Sequence, residues 1–352
     1  MASATDKFID FVDSIRGVFK SLGNAVSGQS GEPGKWQKPT KIFVVVFVLF
    51  NLVFGWYWSN EPELPIEEDV ASSGVVGHAT TTALINVVTT LLKKPGGYLT
   101  NDVTPPSLFL DNMSNWEFGV LVQSRELARA LRNDFSRSQS QSVENPHLAD
   151  AEPLLSSPNN SWIFPSTEGK YHEALSGFEA YRQQLIDIQQ GDAQFYARAD
   201  NLANWLAVVE KRLGSLSQRL SASIGQVRVN TDLAGDPAAQ QATPNGSQLE
   251  VKTSWFEIDD VFYETRGTAW ALIQFMKAAE YDFRDVLIKK NALVSLRQII
   301  RELEATQTEL WSPIILNGSG FGVFANHSLV MASYISRANA AVIDLRKLLE
   351  DG

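Results

Sequence analysis

Apolar positions along the chain fall into one uncharged run and a series of helical stripes. The run is Ile42–Trp58, IFVVVFVLFNLVFGWYW, with Asn51 as its only strongly polar residue. At roughly 25 Å of helix for ~30 Å of hydrocarbon, it lies at the short end for crossing a bilayer. Its flanks extend it. Lys35, Lys38 and Lys41 precede it and can carry their ammonium groups into the headgroups on apolar stems. Trp56, Tyr57 and Trp58 make an aromatic belt at the far interface. A stretch apolar on all sides leaves no face for water, which disfavours a soluble core helix. A cleaved signal peptide is disfavoured because the run starts only at Ile42 and ends in aromatics rather than small residues.

Ahead of the run, residues 5–22 set Phe8, Phe11, Val12, Ile15, Val18, Phe19 and Leu22 at helical spacing. This predicts a short amphipathic helix with Phe8, Phe11, Ile15 and Phe19 as candidate partner or lipid contacts. The segment SGQSGEPGK then reads as a flexible linker.

Beyond the run, a Pro-containing acidic spacer leads to helices over His78 to Lys94, stopped by Pro95, Gly96 and Gly97, and over Ser114 to Ser136, with Ser114 as its cap. A polar loop extends from there to Asn160. Stripes at Tyr171, Ala174, Phe178, Tyr181, Leu185 and Ile188, and at Leu202, Leu206, Val209, Leu213, Leu216 and Leu220, predict two helices. Gly191-Asp192 would turn them into an antiparallel hairpin. Residues 230–248 read as a surface loop that could divide two subdomains. Helical spacing resumes over Phe256 to Lys290, Leu293 to Leu310 and Ile335 to Leu349, and no alternating strand pattern stands out.

The expectation is therefore all-α. An amphipathic helix and linker occupy residues 1–30, a basic juxtamembrane segment 31–41, a transmembrane helix 42–58 and an acidic spacer 59–76. A helical-bundle domain of about seven or eight helices with long loop insertions occupies 77–352, with a possible subdivision near 230–250.

Charge fixes an expected orientation. Lysines precede the run and Glu61, Glu63, Glu67, Glu68 and Asp69 follow it, so the positive-inside rule puts the N-terminus in the cytoplasm. A net charge of −10 disfavours nucleic acid as a partner. With 44% hydrophobic residues the chain can fill a core, and with no cysteine it offers neither disulfides nor thiolate chemistry.

Chemical motifs are sparse. His78, His147, His172 and His327 are far apart, no GxSxG elbow is present, and no metal or cofactor is expected. Asn317–Ser328, NGSGFGVFANHS, lacks the lysine of a phosphate loop and reads as a turn between helices, whose Phe321 and Phe324 are candidate partner or lipid contacts. Glu257, Asp259, Asp260 and Glu264, followed by Arg266, could serve acid/base chemistry, but complementing a helix dipole accounts for them more simply. The loop GGYLTNDVTPP could form a recognition surface through Asn101 and Asp102, or a rigid turn.

Two segments, GGYLTNDVTPPSLFLDNMSNWEFGVLVQSRELARALRNDFSRSQSQS and QFYARADNLANWLAVVEKRLGSLSQRLSAS, resemble a proteobacterial domain-of-unknown-function family of single-pass inner-membrane proteins. The resemblance implies a Gram-negative inner membrane and a periplasmic helical domain, and carries over no catalytic residue. The resulting expectation is a scaffold or accessory subunit in a cell-envelope complex, leaning away from enzyme, with the lipid bilayer and a protein partner or homo-oligomer as its contacts. The alternative is a tethered lipid-binding or hydrolytic domain.

Overall fold

The computed structural model describes residues 37–65, 74–138, 143–187, 193–229, 248–312, 314–319 and 322–351. The amphipathic segment 5–22, Lys35, the loop 230–247, Gly191-Asp192 and Phe321 lie outside these residues. The chain divides into two units, residues 1–54 and 55–352.

In the first unit the described residues belong to helix α1, Gln37–Trp58. Its window Lys41–Trp58 has mean hydropathy 1.9 with none of it buried, so this helix is long and apolar enough to cross a membrane. Lys38 lies in its first turn and Lys41 is exposed. Asn51 Nδ2 donates to the Phe47 carbonyl at 2.8 Å, so its amide finds a partner within the helix itself. Phe43 pairs with Phe47, and Phe50 with Phe54, one turn apart.

The second unit begins with the last turn of α1 and contains, among the described residues, nine further helices. These are α2 (His78–Lys93), α3 (Asp111–Ala130), α4 (Pro146–Leu155), α5 (Thr167–Ile186), α6 (Ala199–Ser221), α7 (Ile258–Asp282), α8 (Arg284–Lys289), α9 (Leu293–Ala305) and α10 (His327–Glu350). Strands β1 (Gln226–Val229) and β2 (Gln248–Val251) pair antiparallel and bracket the 230–247 segment. Among the described residues the regular structure of the domain is helical apart from this short hairpin and an isolated bridge between Asn317 and Asn326.

Helices α3 and α7 run side by side in the same direction at the centre. They approach so closely that a β-carbon on Gly119 would lie 2.1 Å from the Glu264 carbonyl, and one on Gly267 2.0 Å from that of Trp116. Only glycine permits that backbone contact. Trp116 and Trp270 pack across it at 5.2 Å. Near the C-terminal ends, Phe135, Phe195 and Phe283 close the core with ring centroids 5.2 to 5.6 Å apart. Asp282 caps α2 from a distance in sequence, accepting from Gly77 N at 2.8 Å and Thr80 N at 2.7 Å.

Three local expectations change. The second helix starts at Asp111, so Ser114 lies inside it rather than capping it. The polar stretch before Asn160 contains α4, which begins where Asn145 accepts from His147 N and Leu148 N and Pro146 takes the first helical position. The stripes of α5 and α6 do not face each other as a hairpin: α5 packs on α4 and α2, while α6 packs on α10. A stripe establishes that a helix has a partner without saying which one.

Candidate functional site

A cleft of about 480 Å³ opens between α2, α7 and α9, with Leu64 and Pro65 at one edge. Its charged side chains come from two helix faces. Lys277, Tyr281 and Arg284 follow one another at four- and three-residue spacing along α7 into α8. Arg297, Ile300, Arg301 and Glu304 fall at three- and four-residue steps on α9. The turn joining the helices uses Asn291 at φ 53°, a conformation asparagine accepts more readily than most residues. Ile273, Ala83 and Ile300 supply the apolar part of the lining.

Four cations and two carboxylates therefore share one cleft. Lys277 Nζ meets Glu304 Oε1 at 2.8 Å and an Arg297 guanidinium nitrogen meets Glu280 Oε1 at 2.6 Å. Arg284 and Arg301 have no carboxylate partner among the described residues. Several other arginines are paired with carboxylates. Arg212 and Arg219 both take Glu264, at 2.5 and 2.8 Å; Arg132 takes Glu144 and Glu152; Arg337 takes Glu302; Arg346 takes Glu210 and Glu350. A guanidinium fork suits a carboxylate in bidentate geometry, so the two open arginines are equipped to receive an anion.

A second, more polar hollow of about 540 Å³ contains Asn115, Arg219, Lys252, Glu257 and Asp260. Burial, reinforced by the fields of Asp259 and Asp111, pushes the Asp260 carboxyl up to about 6. Asn115 Nδ2 donates to it at 2.7 Å. The acidic group read from the sequence is split by the fold. Asp259 and Asp260 lie in the first turn of α7, Glu264 is neutralised by Arg212 and Arg219, and Arg266 turns away to Glu61 at 2.9 Å and to the Thr306 and Thr308 carbonyls.

The remaining predicted residues are dispersed. Trp56 and Tyr57 are exposed, whereas Trp58 packs against bare Gly96 and the domain core. Phe324 is exposed on the loop before α10, where Asn326 Nδ2 donates to Asn317 Oδ1 and the Gly318 carbonyl. Asn101 is buried and donates to the Ser161 carbonyl and Glu168, both at 2.9 Å, so it fastens one loop to another. Burial lowers the pKa of His78 and of His327, whose Nδ1 accepts from Leu316 N. Among the described residues no group of three His, Asp or Glu side chains could hold a metal ion.

Lys277, Arg284, Arg297 and Arg301 escape the sequence reading. Their signal was compositional: the stretch 277–301 holds six basic and three acidic side chains in a chain of net charge −10. Comparison with known proteins finds no match among curated proteins or solved structures. Residues 31–352 match the model of a family described as "Uncharacterized protein conserved in bacteria (DUF2333)". That match takes in the apolar helix and the whole helical domain, and the chain belongs to the DUF2333 family.

Proposed function

We propose that the protein is a single-pass inner-membrane protein with its N-terminus in the cytoplasm, whose periplasmic helical domain serves as an accessory or scaffold subunit of a cell-envelope complex. In this reading the cleft between α2, α7 and α9 holds an acidic segment of the partner. The observation that carries it is the pair of guanidiniums, Arg284 and Arg301, that have no carboxylate partner among the described residues of a strongly acidic protein. The anchoring half rests on α1 and on the charge asymmetry around it.

The segment that follows α1 is tied into the domain by built contacts. Glu61 pairs with Arg266, Trp270 Nε1 donates to the Glu63 carbonyl at 3.4 Å, and Leu64 packs against the core. The first residues of the acidic segment after α1 thus belong to the domain. An open cleft edged with charged pairs suits a polypeptide segment better than an apolar lipid tail, which favours a protein partner over the lipid-binding alternative.

Affinity purification of the full chain in mild detergent tests this. A stoichiometric partner should co-purify at low salt, and be lost at high salt and from an Arg284→Glu/Arg301→Glu variant. Purification of a lone monomer with bound lipid, unchanged by charge reversal, overturns the proposal.

A further inference from the structure

The second hollow lies between α6, the chain leaving β2 and the starts of α3 and α7. Ser215, Gln218 and Arg219 stand three and four residues apart on one face of α6. The chain after β2 is fastened to the end of that helix: Thr253 N donates to the Ala222 carbonyl at 3.0 Å, and Thr253 Oγ1 to the Arg219 carbonyl at 3.3 Å. This brings Lys252 into the same hollow as Glu257 and Asp260 of α7. Asn115, in the second turn of α3, spends both amide hydrogens, on the Asp111 carbonyl at 3.0 Å and on Asp260 Oδ1 at 2.7 Å.

Much of the remaining hydrogen-bonding capacity is unspent. Among the described residues the side chains of Ser215 and Gln218 make no hydrogen bond, and Lys252 and Glu257 have no ion-pair partner. Arg219 gives one nitrogen to Glu264 and keeps further N–H groups. Asp260 has a second carboxyl oxygen beyond the one that Asn115 engages. Burial and the fields of Asp259, Asp111, Glu257 and Glu264 hold its carboxyl above the ordinary range, so the fold gains no stability from that charge.

The lining selects the chemistry of an occupant. It must offer donors to Glu257 and Asp260 and acceptors to Lys252, Gln218 and Arg219 at close quarters. Sugar hydroxyls do both, each with one hydrogen and two lone pairs. A polyanion would be repelled by the two carboxylates, and an acyl chain would find only Ala222, Val251 and Val261 as apolar lining. Two cations beside hydroxyl-binding groups call for an acidic substituent on the sugar. Trp255, two residues from both Thr253 and Glu257, is 65% exposed, and its indole offers an apolar face with a polar edge to a pyranose ring. A volume of about 540 Å³ is within the usual size of small-ligand sites.

We propose that this hollow binds a saccharide carrying a carboxylate. Lys252 and Arg219 receive the acidic substituent, Glu257, Asp260 and Gln218 hold ring hydroxyls, and Trp255 lies against a sugar face. The site is built within residues 55–352 and rests neither on α1 nor on what the cleft between α2, α7 and α9 takes.

Isothermal titration of the full chain, solubilised in a detergent without a sugar headgroup, tests this. The probes are tetragalacturonate, the disaccharide of N-acetylglucosamine and N-acetylmuramic acid, neutral chitotetraose, and free alanine as a simple zwitterion. At least one of the two acidic saccharides should bind, more tightly than chitotetraose or alanine. Lys252→Glu, at an exposed position, should weaken that binding at least about tenfold with thermal unfolding unchanged, whereas Lys347→Glu on α10 should leave it as it is. Asp260→Asn should also bind more weakly although its fold is the more stable near neutrality, which separates lost binding from lost folding.

Failure of both acidic saccharides to bind at millimolar concentration would overturn the proposal, as would binding that survives Lys252→Glu. Chitotetraose binding as tightly as the acidic probes would remove the carboxylate from the assignment and overturn it. Alanine binding more tightly than any saccharide would give the hollow to an amino-acid ligand instead.

Discussion

Two charged clusters behave oppositely in this domain. At the junction of α2 and α3, Lys94 and Glu117 are wholly buried, with Lys94 Nζ 2.7 Å from Glu117 Oε1. Further hydrogen bonds surround the pair: Glu117 accepts from Leu99 N, Thr100 N and Thr100 Oγ1, and Lys94 donates to the Gly97 carbonyl. Burial pushes the Glu117 carboxyl above its ordinary range, and Lys94 and these donors oppose the shift. In the α7/α9 cleft, Arg284 and Arg301 are exposed to solvent and have no carboxylate partner among the described residues. The first cluster is closed and fixes the loop that follows α2; the second is open and has capacity left for a partner. Satisfaction of polar groups, rather than their number, separates a structural cluster from a binding one.

The closed cluster should be the most sensitive to change. Glu117→Ala leaves the Lys94 ammonium buried and unpaired, and should cost about 3–5 kcal/mol in denaturant unfolding of the detergent-solubilised chain. The apolar pair Lys94→Met/Glu117→Leu should recover much of that loss, because it removes both desolvated charges. Gly267→Ala forces a β-carbon into the Trp116 carbonyl and pushes α3 and α7 apart, at an expected loss of about 2 kcal/mol.

Asp260 is an intermediate case, half-buried with Asn115 as its donor. Its carboxyl sits at about 6 in the fold against an ordinary 3.8. Below the lower value both the folded and unfolded chains are protonated there. As pH rises, the unfolded chain ionises first, so stability falls through the window and the deficit is complete above about 6. With solvent screening, Asp260→Asn should stabilise the protein by ~1 kcal/mol near neutrality and leave it unchanged near pH 3, as read from unfolding curves at both pH values.

The open cluster should be nearly silent in stability. Arg284→Glu/Arg301→Glu should move unfolding by less than about 0.5 kcal/mol while abolishing co-purification of the partner. If it unfolds the domain as Glu117→Ala does, the distinction between the clusters fails.

Legibility from sequence followed the range of the forces involved. Ile42–Trp58 and the stops at Pro95, Gly96 and Gly97 declared themselves because local hydrophobicity and backbone chemistry decide them. Helix α4 was hidden because its ten residues carry Pro153 and a weak apolar pattern, and only Asn145-Pro146 announces its start. The partners of α5 and α6 were unreadable, since long-range packing chooses among equivalent stripes. The cleft was invisible for a related reason. Lys277 and Glu304 lie on different helices, and whether an arginine is spent on a neighbour depends on which helix faces it. For Asn101 the sequence left a recognition surface and a rigid turn both open, because its burial depends on a loop some sixty residues later in sequence.

The most direct test of the account places a photo-crosslinking side chain at Tyr281, which lines the cleft and is half-exposed, in the full chain within its native membrane. The account predicts one adduct of defined mass with an acidic envelope protein, lost in the Arg284→Glu/Arg301→Glu background and absent when the crosslinker stands at Leu348 on α10. No adduct at Tyr281, or one that survives charge reversal, would contradict it.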